Sequence, residues 1–178
     1  MNDDIIKEGL GTMSSTEPVW LTEAKKYLGQ KEVPGPKTNP WIVQMLIKLG
    51  LPWRDDETPW CGTFVSWVLT TCKIKPSDHP AGARSYQNWG VKIDKPVPGC
   101  IVVFWRGSPK SVNGHVGFVT QITKEGHLVV LGGNQGDAVT ERAFDTARVV
   151  SYRWPLGVPV PVEALKVGGD YQLSTSEA

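Results

Sequence analysis

An α+β fold, with helices in the N-terminal half and an antiparallel sheet in the C-terminal half, is what this sequence predicts. Two observations carry that reading. Up to about residue 90, apolar residues recur at helical spacing between Gly and Pro breaks; from about residue 100, the pattern shortens to β-branched and aromatic runs separated by Gly, Pro, Asn and Ser. Helices first and strands afterwards exclude a chain of alternating βαβ units, and 178 residues suit one domain with a sizeable core.

Residues 1–16 are polar and read as a flexible leader. Thr16-Glu17-Pro18 supplies a helix start, followed at helical spacing by Trp20, Ala24, Tyr27 and Leu28 and stopped by Gly29. Thr38-Asn39-Pro40 opens a second helix, whose apolar face is Trp41, Met45, Leu46 and Leu49, ended by Gly50. A charged loop, 52–59, leads into a third helix from Cys61 to Lys73 that is apolar on most sides, as a buried central helix must be. A short helix is expected from Ala83 to Trp89. Strands are expected at Ile101–Trp105, Val116–Ile122, His127–Leu131 and Val149–Arg153, with a tight turn at Lys124-Glu125-Gly126. Period two along the third strand turns Leu128 and Val130 inward and His127 and Val129 outward. Residues 157–178 read as an extended or disordered tail, leaving 17–156 as the domain.

Charge excludes some functions. Lys+Arg 19 against Asp+Glu 18 gives a net +1, which is not the footprint of a nucleic-acid binder. No apolar run approaches membrane-spanning length, so no membrane insertion is expected. The acidic N-terminus lacks the pattern of a signal peptide, so the chain is expected to be made in the cytoplasm. Cys61, Cys72 and Cys100 are too few and too odd in number for a disulfide framework; free thiols are expected, a Cys72–Cys100 bridge being the alternative. No metal or cofactor is called for. Most of the eight tryptophans are expected in the core, with a sugar- or peptide-lined cleft as the alternative for some.

Thr58-Pro59-Trp60-Cys61-Gly62 delivers a thiol to the first turn of the central helix, where free N–H groups and partial positive charge favour a thiolate. A cysteine nucleophile needs a base, and the base needs a third group to fix its tautomer. Among three histidines, His79 lies in a Pro-flanked loop and His127 after a hairpin turn. His115, in Asn113-Gly114-His115-Val116-Gly117, has glycines on either side that permit close approach of another backbone, and is the candidate base. Leu131-Gly132-Gly133-Asn134-Gln135 ends the partner strand, so Asn134 or Gln135 is placed to hold the imidazole; the plainer reading of Asn134 is a left-handed turn residue. Cys, His and Asn in this chain order match the arrangement of papain-like sites.

With these residues the chain resembles a bacterial and phage family of cysteine peptidoglycan hydrolases related to CHAP and NlpC-type domains. The resemblance rests on Pro59-Trp60-Cys61-Gly62-Thr63-Phe64-Val65, Gly114-His115-Val116-Gly117-Phe118 and Leu131-Gly132-Gly133-Asn134-Gln135. Weaker matches are Leu28-Gly29 with Glu32-Val33-Pro34-Gly35, Ala83-Arg84-Ser85 and Tyr152-Arg153-Trp154-Pro155. It implies a papain-like α+β fold that hydrolyses an amide bond of the bacterial cell wall, as an N-acetylmuramoyl-L-alanine amidase or a stem-peptide endopeptidase. In it Cys61 is the nucleophile, His115 the base and Asn134 the orienting group. Two departures stand out. Many CHAP domains carry an acid where this chain has Gly132, so Asn134 acts without it or Gln135 helps; and the Gly-Asp often found before the first strand is Gly99-Cys100 here.

Trp60, Asp56, Glu57 and Gln135 are accessory candidates. The two acids are placed to contact substrate amines or His115, the plainer reading being a solvated loop that charges the helix approach. The rival functions are a non-catalytic wall-binding module and a cysteine protease or transglutaminase-like enzyme acting on proteins. A wall hydrolase without a signal peptide fits a phage lysin or a secreted antibacterial effector, acting at the wall or in the periplasm after release; an effector would require an immunity protein as partner.

Overall fold

The computed structural model describes residues 17–175, so the leader, with the capping hydroxyl expected from Thr16, lies outside the described residues. The first helix, α1, runs Val19–Lys25 with Pro18 at its N-cap, and Glu17 stays outside it, bonding back to Thr22 and Lys25. The second, α2, runs Pro40–Lys48: Asn39 Oδ1 accepts the Trp41 N–H at 2.9 Å and Pro40 fills the first helical position. The central helix, α3, runs Cys61–Thr71 and buries every residue from Cys61 to Leu69 except Trp67. The segment expected as a short helix is a 3₁₀ helix, Ala83–Asn88.

Six strands follow: β1 Val91–Ile93, β2 Ile101–Trp105, β3 Gly114–Ile122, β4 Leu128–Gly132, β5 Thr140–Phe144 and β6 Val149–Trp154. They form one antiparallel sheet in the order β1-β6-β2-β3-β4-β5. Four of the six lie where alternation and turn residues place them. Two strands were not expected: β1, three residues long, and β5, whose Thr140-Glu141-Arg142 carries no apolar signal; both are edge strands, where polar residues are tolerated.

The sheet is rolled. A flat sheet would set β2 and β5 three strand spacings apart, about 14 Å. Yet the rings of Phe104 on β2 and Phe144 on β5 stack with centroids 4.9 Å apart. One face of β2 and β3 carries Phe118, which packs edge-on against Phe64 of α3; the opposite face carries Phe104 and His115, enclosed by the roll. Rolling also explains why β4 does not divide into inward and outward residues as expected: Leu128, Val129, Val130 and Leu131 are all fully buried, with α3 on one side and the enclosed space on the other.

Tryptophans mostly serve the core. Trp20, Trp60 and Trp154 are buried, and Trp20 meets Trp154 edge-on at 5.0 Å. Beyond Trp154 the tail is extended and laid along the sheet. Val167 bridges Ile122 of β3, Leu173 bridges Ala143 of β5, and Gln121 donates to the Tyr171 hydroxyl at 2.7 Å. The edge of β5 is thus covered rather than bare.

The long loop before α2 is fastened to the loop before α3 by one buried side chain. Asp56, 1% exposed, accepts the N–H of Val33 at 2.9 Å and of Asn39 at 2.8 Å through the same carboxylate oxygen. Charge-assisted bonds of this kind contribute about 1.5–3 kcal/mol each, and their loss strands two N–H groups. Asp56→Ala is therefore expected to lower unfolding free energy by about 2–4 kcal/mol in urea titration, and Glu57→Ala, on the exposed neighbour, by less than about 0.5 kcal/mol.

Candidate active site

The start of α3 is gripped by two segments. A side chain at Gly62 would run into the Ala81 carbonyl oxygen at 2.6 Å, and one at Gly133 into Phe64 Cβ at 2.6 Å and the Trp60 ring at 2.7 Å. Hence the loop before the 3₁₀ helix and the chain leaving β4 both press on the first helical turn. Cys61, the first residue of that turn, is 8% exposed, and the backbone N–H of Val116 favours its thiolate. That N–H belongs to the peptide bond joining His115 to Val116, so the structure sets the nucleophile candidate against the base candidate's own backbone.

Burial pushes the Cys61 thiol above its ordinary range; the N–H groups of Val116, Gly62 and Cys61 and the charge of Arg106 oppose this without overcoming it. Arg106, at the start of the β2–β3 hairpin loop, is a contributor that no sequence motif marked. Arg84 steadies that loop by donating to the Ser111 carbonyl at 2.9 Å.

His115 is 1% exposed and boxed by aromatic rings, with Phe144 stacked at 5.2 Å and Phe104 at 6.4 Å. Its Nε2 lies 2.9 Å from Gln135 Oε1. The orientation of that carboxamide is fixed from its other end: Gln135 Nε2 donates to the carbonyl oxygens of Val130 at 3.1 Å and Thr140 at 2.7 Å, which only an NH₂ can do. Oε1 therefore faces the ring, Nε2 of His115 must carry a hydrogen, and Nδ1 is the basic nitrogen.

Of the two side chains that the sequence offered for holding the imidazole, Gln135 makes the hydrogen bond to the ring. Asn134 takes the left-handed turn, φ 55°, that swings the chain out of β4 and brings the longer side chain of Gln135 back under the ring. Of the other accessory candidates, Trp60 is fully buried and donates its indole N–H to Glu32 Oε1 at 2.8 Å; Asp56 is the buried clamp described above and is not a solvated loop acid; Glu57 is exposed. Glu32, which the sequence analysis did not single out as a site residue, is held above the usual carboxylate range by burial, against the Trp60 bond and aided by the charges of Asp137, Asp56 and Glu57. His79 is exposed, as its loop suggested.

All three cysteines are free, and they differ sharply in surroundings. Cys100 is fully buried and pushed up to about 12, while Cys72 is half-buried. Native iodoacetamide labelling followed by peptide mass spectrometry should modify Cys72 first, leave Cys100 untouched until urea is added, and modify Cys61 slowly at neutral pH. The Cys61 rate should still climb above the ordinary thiol value of about 8.5, because its raised pKa delays thiolate formation. Fast labelling of Cys61 near pH 6 would instead show a preformed thiolate–imidazolium pair.

No curated protein matches the chain. The family model of the CHAP domain matches residues 53–134, the stretch from the loop before α3 to the turn after β4. The helices and six-stranded antiparallel sheet agree with that domain's α+β type, and CHAP domains are cysteine/histidine amidase or peptidase domains associated with peptidoglycan. The matched stretch, residues 53–134, carries both Cys61 and His115.

Proposed function

We propose that this protein hydrolyses an amide bond of bacterial peptidoglycan, as an N-acetylmuramoyl-L-alanine amidase or a stem-peptide endopeptidase, with Cys61 as nucleophile, His115 as general base and Gln135 as the group that orients it. The observation that carries the proposal is the Gln135–His115 hydrogen bond. It leaves Nδ1 as the basic nitrogen on the residue that precedes Val116, whose backbone N–H favours the Cys61 thiolate.

In the reaction, Nδ1 of His115 takes the thiol proton as the sulfur attacks the amide carbonyl carbon. The developing oxyanion meets the Cys61 N–H at the start of α3, an N–H that no helical carbonyl claims. The imidazolium returns the proton to the leaving nitrogen, the C–N bond breaks and a thioester remains. Water, deprotonated by Nδ1, then hydrolyses the thioester, releasing the acid and restoring the thiol. Throughout, Nε2–H stays on the Gln135 oxygen, so the ring neither flips nor changes tautomer. The substrate lies outside the cytoplasmic membrane, so the site of action is the wall, reached by release as a lysin or by secretion as an effector with a cognate immunity protein.

Cys61→Ala and His115→Ala are each expected to lower lysis of purified sacculi by more than about 1,000-fold with the fold retained. Lysis by Cys61→Ala at the wild-type rate would remove the nucleophile. Mass spectrometry of the released muropeptides should show a new N-terminal Ala on the stem for an amidase or separated cross-links for an endopeptidase. Cleavage of casein but not sacculi would reject the wall as substrate.

A further inference from the structure

Gly132 is one of the two places where the chain departs from the family pattern it resembles, and the space it leaves is not empty. A Cβ built on Gly132 would lie 2.5 Å from Gln135 Oε1, 3.0 Å from its Cδ and 3.3 Å from His115 Nε2. The Gln135 carboxamide therefore occupies the position that a side chain from residue 132 would take, on the same nitrogen of the same ring. The carboxamide cannot simply slide away, because its NH₂ is held by Val130 and Thr140 carbonyls and the residue is fully buried.

We propose that Gly132 and Gln135 form one interlocked positioning device: the absent side chain at 132 is the berth of the Gln135 carbonyl oxygen, and the pair orients His115 in place of a residue reaching from 132 itself. Gln135 is a positioning residue that acts through His115. Gly132 acts through Gln135, and its role is vacancy. The requirement is not conformational, since Gly132 is not among the glycines with left-handed φ; alanine is compatible with its backbone and only the side-chain volume is forbidden. Either residue can be changed alone only at the expense of the hydrogen bond. Changed together they can exchange roles: an aspartate at 132 would bring an acceptor to Nε2 once position 135 has been shortened.

The inference deepens the proposed function and rests on His115 being the base of that site. Its test begins without substrate. In the Cys61→Ala protein, long-range ¹⁵N spectra of the labelled histidines should show His115 as a single Nε2–H tautomer; adding Gln135→Ala, or Gly132→Ala with Gln135 intact, should mix the tautomers. With Cys61 present, each of these single changes should slow sacculus hydrolysis by about 10–100-fold. Gly132→Asp alone should be at least as damaging, and combined with Gln135→Ala should recover at least about tenfold over Gly132→Asp alone, a coupling that independent sites do not show. Should Gly132→Ala unfold, rescue of its amide spectrum by adding Gln135→Ala supports the shared berth, and failure of rescue overturns it. A Gly132→Ala protein with the wild-type tautomer and rate overturns the proposal outright. Because the tautomer is read without turnover, its outcome stands apart from whether sacculi are the substrate.

Discussion

An imidazole sealed inside a rolled sheet must satisfy its N–H there, and the Gln135–His115 bond is the interaction on which the rest of the site depends. His115 is 1% exposed, so bulk solvent does not satisfy Nε2–H, and an unmatched donor at this depth costs about 1–3 kcal/mol. The stacked rings of Phe104 and Phe144 supply neither donor nor acceptor; they fix the plane of the imidazole but not its tautomer. Gln135 fixes the tautomer, and it does so because Val130 and Thr140 fix Gln135. The proton's location is thus determined two residues away from the ring, by carbonyls of β4 and of the first residue of β5.

A carboxamide partner has a chemical consequence that a carboxylate would not. It accepts from Nε2–H without adding charge, so it stabilises the imidazolium less than an acid in the same place. On the other side, burial raises the Cys61 thiol despite the helix start and Arg106. Both effects work against a preformed thiolate–imidazolium pair, so in the proposed reaction proton transfer accompanies attack on the carbonyl. The device that holds His115 and the environment that holds Cys61 point the same way.

How much of this was legible in the sequence follows from the range of each interaction. The second helix was readable because Asn39 and Pro40 act on the next turn, and four strands because alternation and turn residues are local. β1 and β5 were not, since a three-residue strand and a Thr-Glu-Arg edge owe their pairing to neighbours supplied by topology. Cys61 and His115 were singled out by helix position and flanking glycines. The choice between Asn134 and Gln135 was undecidable locally: it turns on the left-handed backbone at 134, which aims the following side chain back at β4, and on the empty volume at Gly132. Asp56 resembled a solvated loop acid because its two N–H partners lie 23 and 17 residues away.

These long-range ties also explain why the family match does not contain the whole device. The match ends at residue 134, one short of Gln135, and it excludes Thr140 and Phe144, which hold the carboxamide and the ring. On the N-terminal side it excludes Glu32, which takes the Trp60 indole N–H, and the strip 29–32, which pairs with Asp137 and Val139 just past the Gln135 turn. The segment from Gln135 to Val139 is therefore braced from behind by the loop that Asp56 fastens in front of α3. Cys61 lies near the start of the matched segment and Gln135 just past its end. Contacts within the segment grip the start of α3, while the chain that leads out of Gln135 is paired with residues 29–32, so the site is braced from both inside and outside the matched stretch.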